Sequence, residues 1–83
     1  MMRPFRKSRP PLDADKGVRQ GRAVTAARSA FGSTEAVLAF LNTPHAGLGA
    51  RPLDLALASY AGLEAVEAAI AEEARRMHAE AAA

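Results

Sequence analysis

The sequence predicts an all-α fold, a compact bundle of about four short helices behind a disordered N-terminal arm. Three observations predict it. Apolar residues recur at helical spacing from about Val18 to Ile70. Capping residues, glycines and prolines interrupt that spacing where helices would end. No stretch shows the apolar–polar alternation of a strand, and no internal repeat occurs.

The arm comes first. Pro4, Pro10 and Pro11 oppose helix, and residues 1–16 are rich in charge and poor in side chains able to join a core, Phe5 and Leu12 excepted. From about Val18 a first helix is expected, with Val24, Ala27 and Phe31 on one face and Arg19, Arg22 and Arg28 mainly elsewhere. Gly32 suits the left-handed position that ends it. Ser33 or Thr34 then caps a second helix, with Glu35 in its first turn and Val37, Phe40 and Leu41 as its apolar face. Asn42-Thr43-Pro44 stops this helix, because the residue before proline is pushed out of the α region. The linker to Ala50 reads as a tight loop in which Leu48, between Gly47 and Gly49, is the hydrophobic anchor. A third helix starts near Pro52, with Leu53, Ala56, Leu57 and Tyr60 at helical spacing. Ser59 is placed to cap a last helix from about Ala61 to near His78. Leu63, Val66 and Ile70 form its inner stripe, with Glu72–Arg76 and Arg76–Glu80 as i,i+4 pairs on its surface.

At 83 residues the chain makes one small domain, near the lower size limit for independent stability. Alanine supplies much of the apolar content, so the core must rest on a short set of larger side chains, including Leu38 and Tyr60. The absence of cysteine excludes disulfides and thiolate metal sites. No apolar run approaches a membrane span, and no apolar segment follows the N-terminal basic residues as in a secretory signal, so a cytoplasmic protein is expected.

The net charge of +2 conceals an asymmetry. Residues 1–28 hold eight of the basic residues and two of the acidic ones; residues 29–83 hold three and seven. The arm, through Arg3, Arg6, Lys7 and Arg9, is either a solvated tail or a contact for nucleic acid phosphates or an acidic partner. His45 and His78 lie far apart without metal-ligand spacing. They read as a solvated loop histidine and a helix-end histidine, and no metal or cofactor is expected. Ser33, Thr34, Thr43 and Ser59 sit where capping explains them, so nothing supports nucleophilic catalysis and no enzymatic role is expected. Beyond Ile70 the last helix either frays or projects as an amphipathic insertion element carrying Ala74 and Met77.

The ordered set Ala30-Phe31-Gly32-Ser33-Thr34-Glu35, Phe40-Leu41-Asn42-Thr43-Pro44, Leu48-Gly49, Pro52-Leu53-Asp54-Leu55, Gly62 and Val66 resembles the C-terminal toxin-binding domain of Xre/MbcA/ParS-type antitoxins, over roughly residues 24–70. The resemblance implies a binding protein that neutralises a cognate RES-type, NAD-acting toxin by occluding the toxin's active site. It departs from the family in two respects. The residues ahead of the matched block are expected to be too few for the usual helix-turn-helix domain, and the last helix lacks the family's Leu-x-x-Ile and glycine continuation. On this reading residues 17–83 are the toxin-binding-like domain. Arg75, Arg76, Met77 and His78 are the candidate partner contacts, and Arg51 is a further anion-facing candidate. The alternative is a small nucleic-acid-associated protein that binds through the arm. A homodimer formed through exposed apolar faces is a further possibility.

Overall fold

A computed structural model describes the backbone of residues 11–82 and the side chains of residues 15–81. Four helices follow in order: α1 (Pro11–Phe31), α2 (Thr34–Asn42), α3 (Pro52–Ala58) and α4 (Tyr60–Ala82). No strand occurs among the described residues; one isolated antiparallel bridge joins His45 to Ala50.

The helix ends follow local chemistry. Gly32, at φ 81°, takes the left-handed conformation after α1, and its N–H donates to the Arg28 carbonyl at 3.0 Å. Ser33 caps α2, its hydroxyl accepting from the Ala36 N–H at 3.1 Å. Thr43 is extended ahead of Pro44, which ends α2. Pro52 opens α3, where the lack of an N–H costs nothing. Ser59 alone separates α3 from α4, and its hydroxyl accepts from the Gly62 N–H at 2.9 Å.

Two boundaries differ from expectation. α1 begins at Pro11 rather than near Val18, so residues 11–16 are helical, while residues 1–10 of the expected arm lie outside the described residues. Proline fits the first helical position, and the turns it starts lead directly into a buried anchor at Arg19. α4 continues past His78 to Ala82, through alanine-rich sequence with strong helix propensity.

The core is tighter and smaller-grained than the sequence suggested. Ala23, Ala27 and Ala56 are completely buried beside Val37, Leu41, Leu63, Val66 and Ile70. Alanines at the crossings let helix axes approach closely, and the larger side chains fill around them. Phe31, Phe40 and Leu53 pack against this centre only partly buried. Phe31 and Phe40 meet at 5.3 Å between ring centroids, tilted by 55°. Leu38 and Tyr60, expected in the core, are 54% and 44% exposed. Leu38 follows the inward Val37, and the turn of about 100° between neighbours on a helix points it outward. Tyr60 starts α4 rather than ending α3, which turns its ring to the surface.

The largest departure is Arg19. It was expected mainly off the face that carries Val24, Ala27 and Phe31, yet it is only 3% exposed. Its Nε donates to the Ala56 carbonyl at 2.8 Å, a second guanidinium nitrogen donates to the Leu57 carbonyl, and the guanidinium lies 5.2 Å from the Tyr60 ring centroid. Those carbonyls belong to the last turn of α3, which has no helical donors left for them. A cation there also meets the negative end of the helix dipole. The register makes this possible: Arg19, Ala23 and Ala27 recur every fourth residue on one face of α1.

Gly62 sets the α3–α4 corner. A Cβ built on it would lie 2.0 Å from the Leu55 carbonyl oxygen, so only glycine permits this approach. Gly21, within α1, has nothing within 4 Å of its built Cβ. One substitution should therefore have opposite signs at the two sites in thermal unfolding. Gly62→Ala is expected to destabilise by about 3 kcal/mol through backbone overpacking, and Gly21→Ala to stabilise by about 0.5–1 kcal/mol through helix propensity. Arg19→Met keeps the apolar stem but leaves one buried and one partly buried carbonyl unpaired, an expected loss of about 2–4 kcal/mol. Arg19→Lys should recover only part of it, since an ammonium cannot reproduce the planar fork.

Candidate functional site

α1 and α4 run side by side in the same direction, with Arg22 pairing with Glu67 and Phe31 lying opposite Met77. α2 packs on α1 and α3 but not on α4. The gap between α2 and the C-terminal half of α4 is an open groove of about 510 Å³. Phe31, Ala39, Phe40 and Pro44 line it from the α1–α2 side, and Met77 from α4. Its walls are mainly apolar, and Glu73 and Arg76 form a charged rim along α4.

The wall opposite α4 is built by the turn after α2. The His45 N–H donates to the Ala50 carbonyl at 3.0 Å, and the His45 carbonyl accepts from Leu48 and Gly49 at 3.0 and 2.9 Å. Gly49 takes φ 74°, a conformation that favours glycine. Leu48 anchors the turn by packing against the core, as its place between two glycines suggested. His45, expected to be solvated, is half-buried. Its Nδ1 accepts from the Gly47 N–H at 3.1 Å, and its ring meets Phe40 edge-on at 5.7 Å between centroids.

Of the candidate contacts, Arg76 and Met77 line this groove. Met77 is 39% exposed, so a large apolar side chain stands open beside an apolar cleft. Arg75 and His78 are exposed on the same stretch of α4 but do not line the groove. The ion pairs there are Glu72–Arg75 at 2.8 Å and Glu73–Arg76, both i,i+3, in place of the expected i,i+4 pairs. In the groove's rim, Glu73 has Arg76 within reach one turn on and holds it there.

Arg51 lies apart, at the start of α3. Its Nε and one terminal nitrogen donate to the two Asp54 carboxylate oxygens at 3.2 and 2.8 Å, and the other terminal nitrogen donates to the Asn42 side chain at 3.2 Å. It ties the end of α2 to the start of α3. The hydrogen bond from Arg51 holds the Asp54 carboxyl below its ordinary range, and the same bond raises Arg51. Arg3, Arg6, Lys7 and Arg9 lie outside the described residues.

Phe40, Pro44 and His45 were missed as groove residues. The available signal was Phe40 and Pro44 bracketing the end of α2, which sequence reasoning assigned to the core and to a helix stop. Among the described residues, no group of three His, Asp or Glu side chains is placed to hold a metal ion, and no helix is long and apolar enough to cross a membrane.

An all-helical domain that presents an apolar groove with a charged rim, and a helix end standing free beside it, belongs to the class of protein-binding modules. The family model of the antitoxin Xre/MbcA/ParS C-terminal toxin-binding domain matches residues 26–73, more than half of the chain, and the chain belongs to this family. No curated protein and no solved structure matches it. The match includes the groove from Phe31 to Glu73; Arg19 precedes it, and Arg75 to His78 follow it.

The Arg51–Asp54 pair has a signed pH dependence. A carboxyl lowered in the folded state contributes stability above its unfolded value, near 3.9, and loses it as pH falls through the folded value. Asp54→Asn should therefore lower the melting temperature slightly at neutral pH, less at pH below about 3, and less again in high salt. Melting curves at both pH values check this.

Proposed function

We propose that this chain neutralises its toxin by placing the groove face and the last turns of α4 over the toxin's active site, and that the toxin is of the RES type and acts on NAD. The observation that carries this reading is the free end of α4 beside the groove, where Met77 is exposed and Arg76 forms the rim. Family membership supports a toxin as the partner. An α4 of 23 residues is about 35 Å long, and its last turns extend beyond the residues buried in the core, which end at Ile70. Such an end enters a pocket without unfolding the bundle. On this reading the chain acts by binding and not by chemistry of its own. Arg75, Arg76, Met77 and His78 are the contacts, and Arg51 braces the α2–α3 junction.

Co-expression with the product of the adjacent gene tests the proposal. The two proteins should co-purify, and the neighbour alone should arrest growth and deplete cellular NAD. If no neighbour co-purifies and none is toxic, the proposal fails. Met77→Glu and Arg76→Glu should each weaken the complex by about tenfold or more, as for central interface residues, and leave the melting temperature nearly unchanged, because both side chains are exposed.

The charge asymmetry supports a second reading, nucleic acid binding through Arg3, Arg6, Lys7 and Arg9. A mobility shift that weakens with salt and is lost on deleting residues 1–10 would favour it.

A further inference from the structure

His45 is held through both its backbone and its ring. Four hydrogen bonds converge on this residue, and three use its backbone to hold the turn from 45 to 50. The fourth uses the ring: Nδ1 accepts from the Gly47 N–H at 3.1 Å. A ring nitrogen that accepts carries no hydrogen, so the neutral imidazole holds its proton on Nε2. A second proton can go only to Nδ1, where it would face the Gly47 N–H, donor against donor. On that side the ring lies close against Gly47, where a Cβ would meet Cε1 at 3.2 Å and glycine leaves room for it. On its other side it meets Phe40 in the groove wall.

We infer that His45 is a proton-operated switch for the groove: protonation breaks the Gly47 contact, loosens the turn between α2 and α3, and withdraws one wall from the bound toxin. The inference rests on the reading that the groove contacts the toxin. The charged groups around the ring do not oppose the switch. From α4, Glu73 and Arg76 line the same groove and are paired with each other. From the start of α3, Arg51 and Asp54 are likewise paired. The residues of α2 that line the groove, Ala36, Ala39 and Phe40, are uncharged.

His45→Asn separates the switch from the turn. An asparagine oxygen accepts from the N–H two residues on, as Nδ1 does here, but does not titrate. Amide NMR of the full chain between about pH 8 and 5 spans the imidazole range and reads the turn without a partner. In the native chain and in His78→Gln, the Gly47 amide should shift and exchange faster along the same curve as the His45 ring. In His45→Asn it should not move. A Gly47 amide that ignores His45 titration, or that shifts equally in His45→Asn, overturns the inference. The adjacent-gene toxin supplies the second measurement. From about pH 7.5 to 5.5 its affinity should fall roughly tenfold more for the native chain than for His45→Asn. If Gly47 follows His45 but both chains bind the toxin alike at each pH, the groove is not the toxin contact, and the proposed function fails while the switch in the turn stands.

Discussion

The fold depends on one buried cation. Arg19 reaches from α1 to the last turn of α3, where two carbonyls lack helical donors, and it lies over the ring of Tyr60 at the start of α4. Three of the four helices meet at this side chain. Among the described residues no carboxylate pairs with it; backbone carbonyls and the negative end of the α3 dipole face its charge. Burying a guanidinium is costly unless its donors are satisfied, so the arrangement holds only when α1, α3 and α4 are all in register. That makes Arg19 a specifier of one packing as well as a source of stability. It also makes the turns ahead of the family-matched block part of the domain's structure, because the match begins seven residues after Arg19.

With α3 held in this way, small residues set the remaining distances. Ala23, Ala27 and Ala56 allow close crossings, and Gly62 lets the Leu55 carbonyl approach α4 across the single-residue corner at Ser59. α4 is thereby committed to α1 and α3. α2 is too short to reach it as well, and the groove is the space left over. A cleft that arises because two helices do not meet is lined partly by residues at the edge of the core. Phe40 is half in the core and half in the groove, and Met77 stands beyond the last fully buried residue of α4.

The turn after α2 links this cleft to the rest of the molecule. Its backbone bonds fix where α3 begins, and its histidine ring forms part of the groove wall. Arg51 reinforces the same junction by joining Asn42 to Asp54. Surface ion pairs of this kind contribute little by themselves. Their effect here is geometric, since they hold the end of one short helix against the start of another.

By itself the sequence determined the four helices, a cap at Ser33 or Thr34 and another at Ser59, the left-handed Gly32, the break at Pro44 and the family, because each rests on local chemistry within a few residues. It left open whether the end of the last helix, with Met77, frays or projects past the core. The burial of Arg19, the outward turn of Leu38, the role of Gly62 and the groove walls at Phe40 and His45 were decided only by tertiary structure. Helical periodicity records which residues share a face, not what that face meets. A charged residue reads as solvent-facing until another helix brings unpaired carbonyls to it, and a groove exists only once the helices on either side are placed.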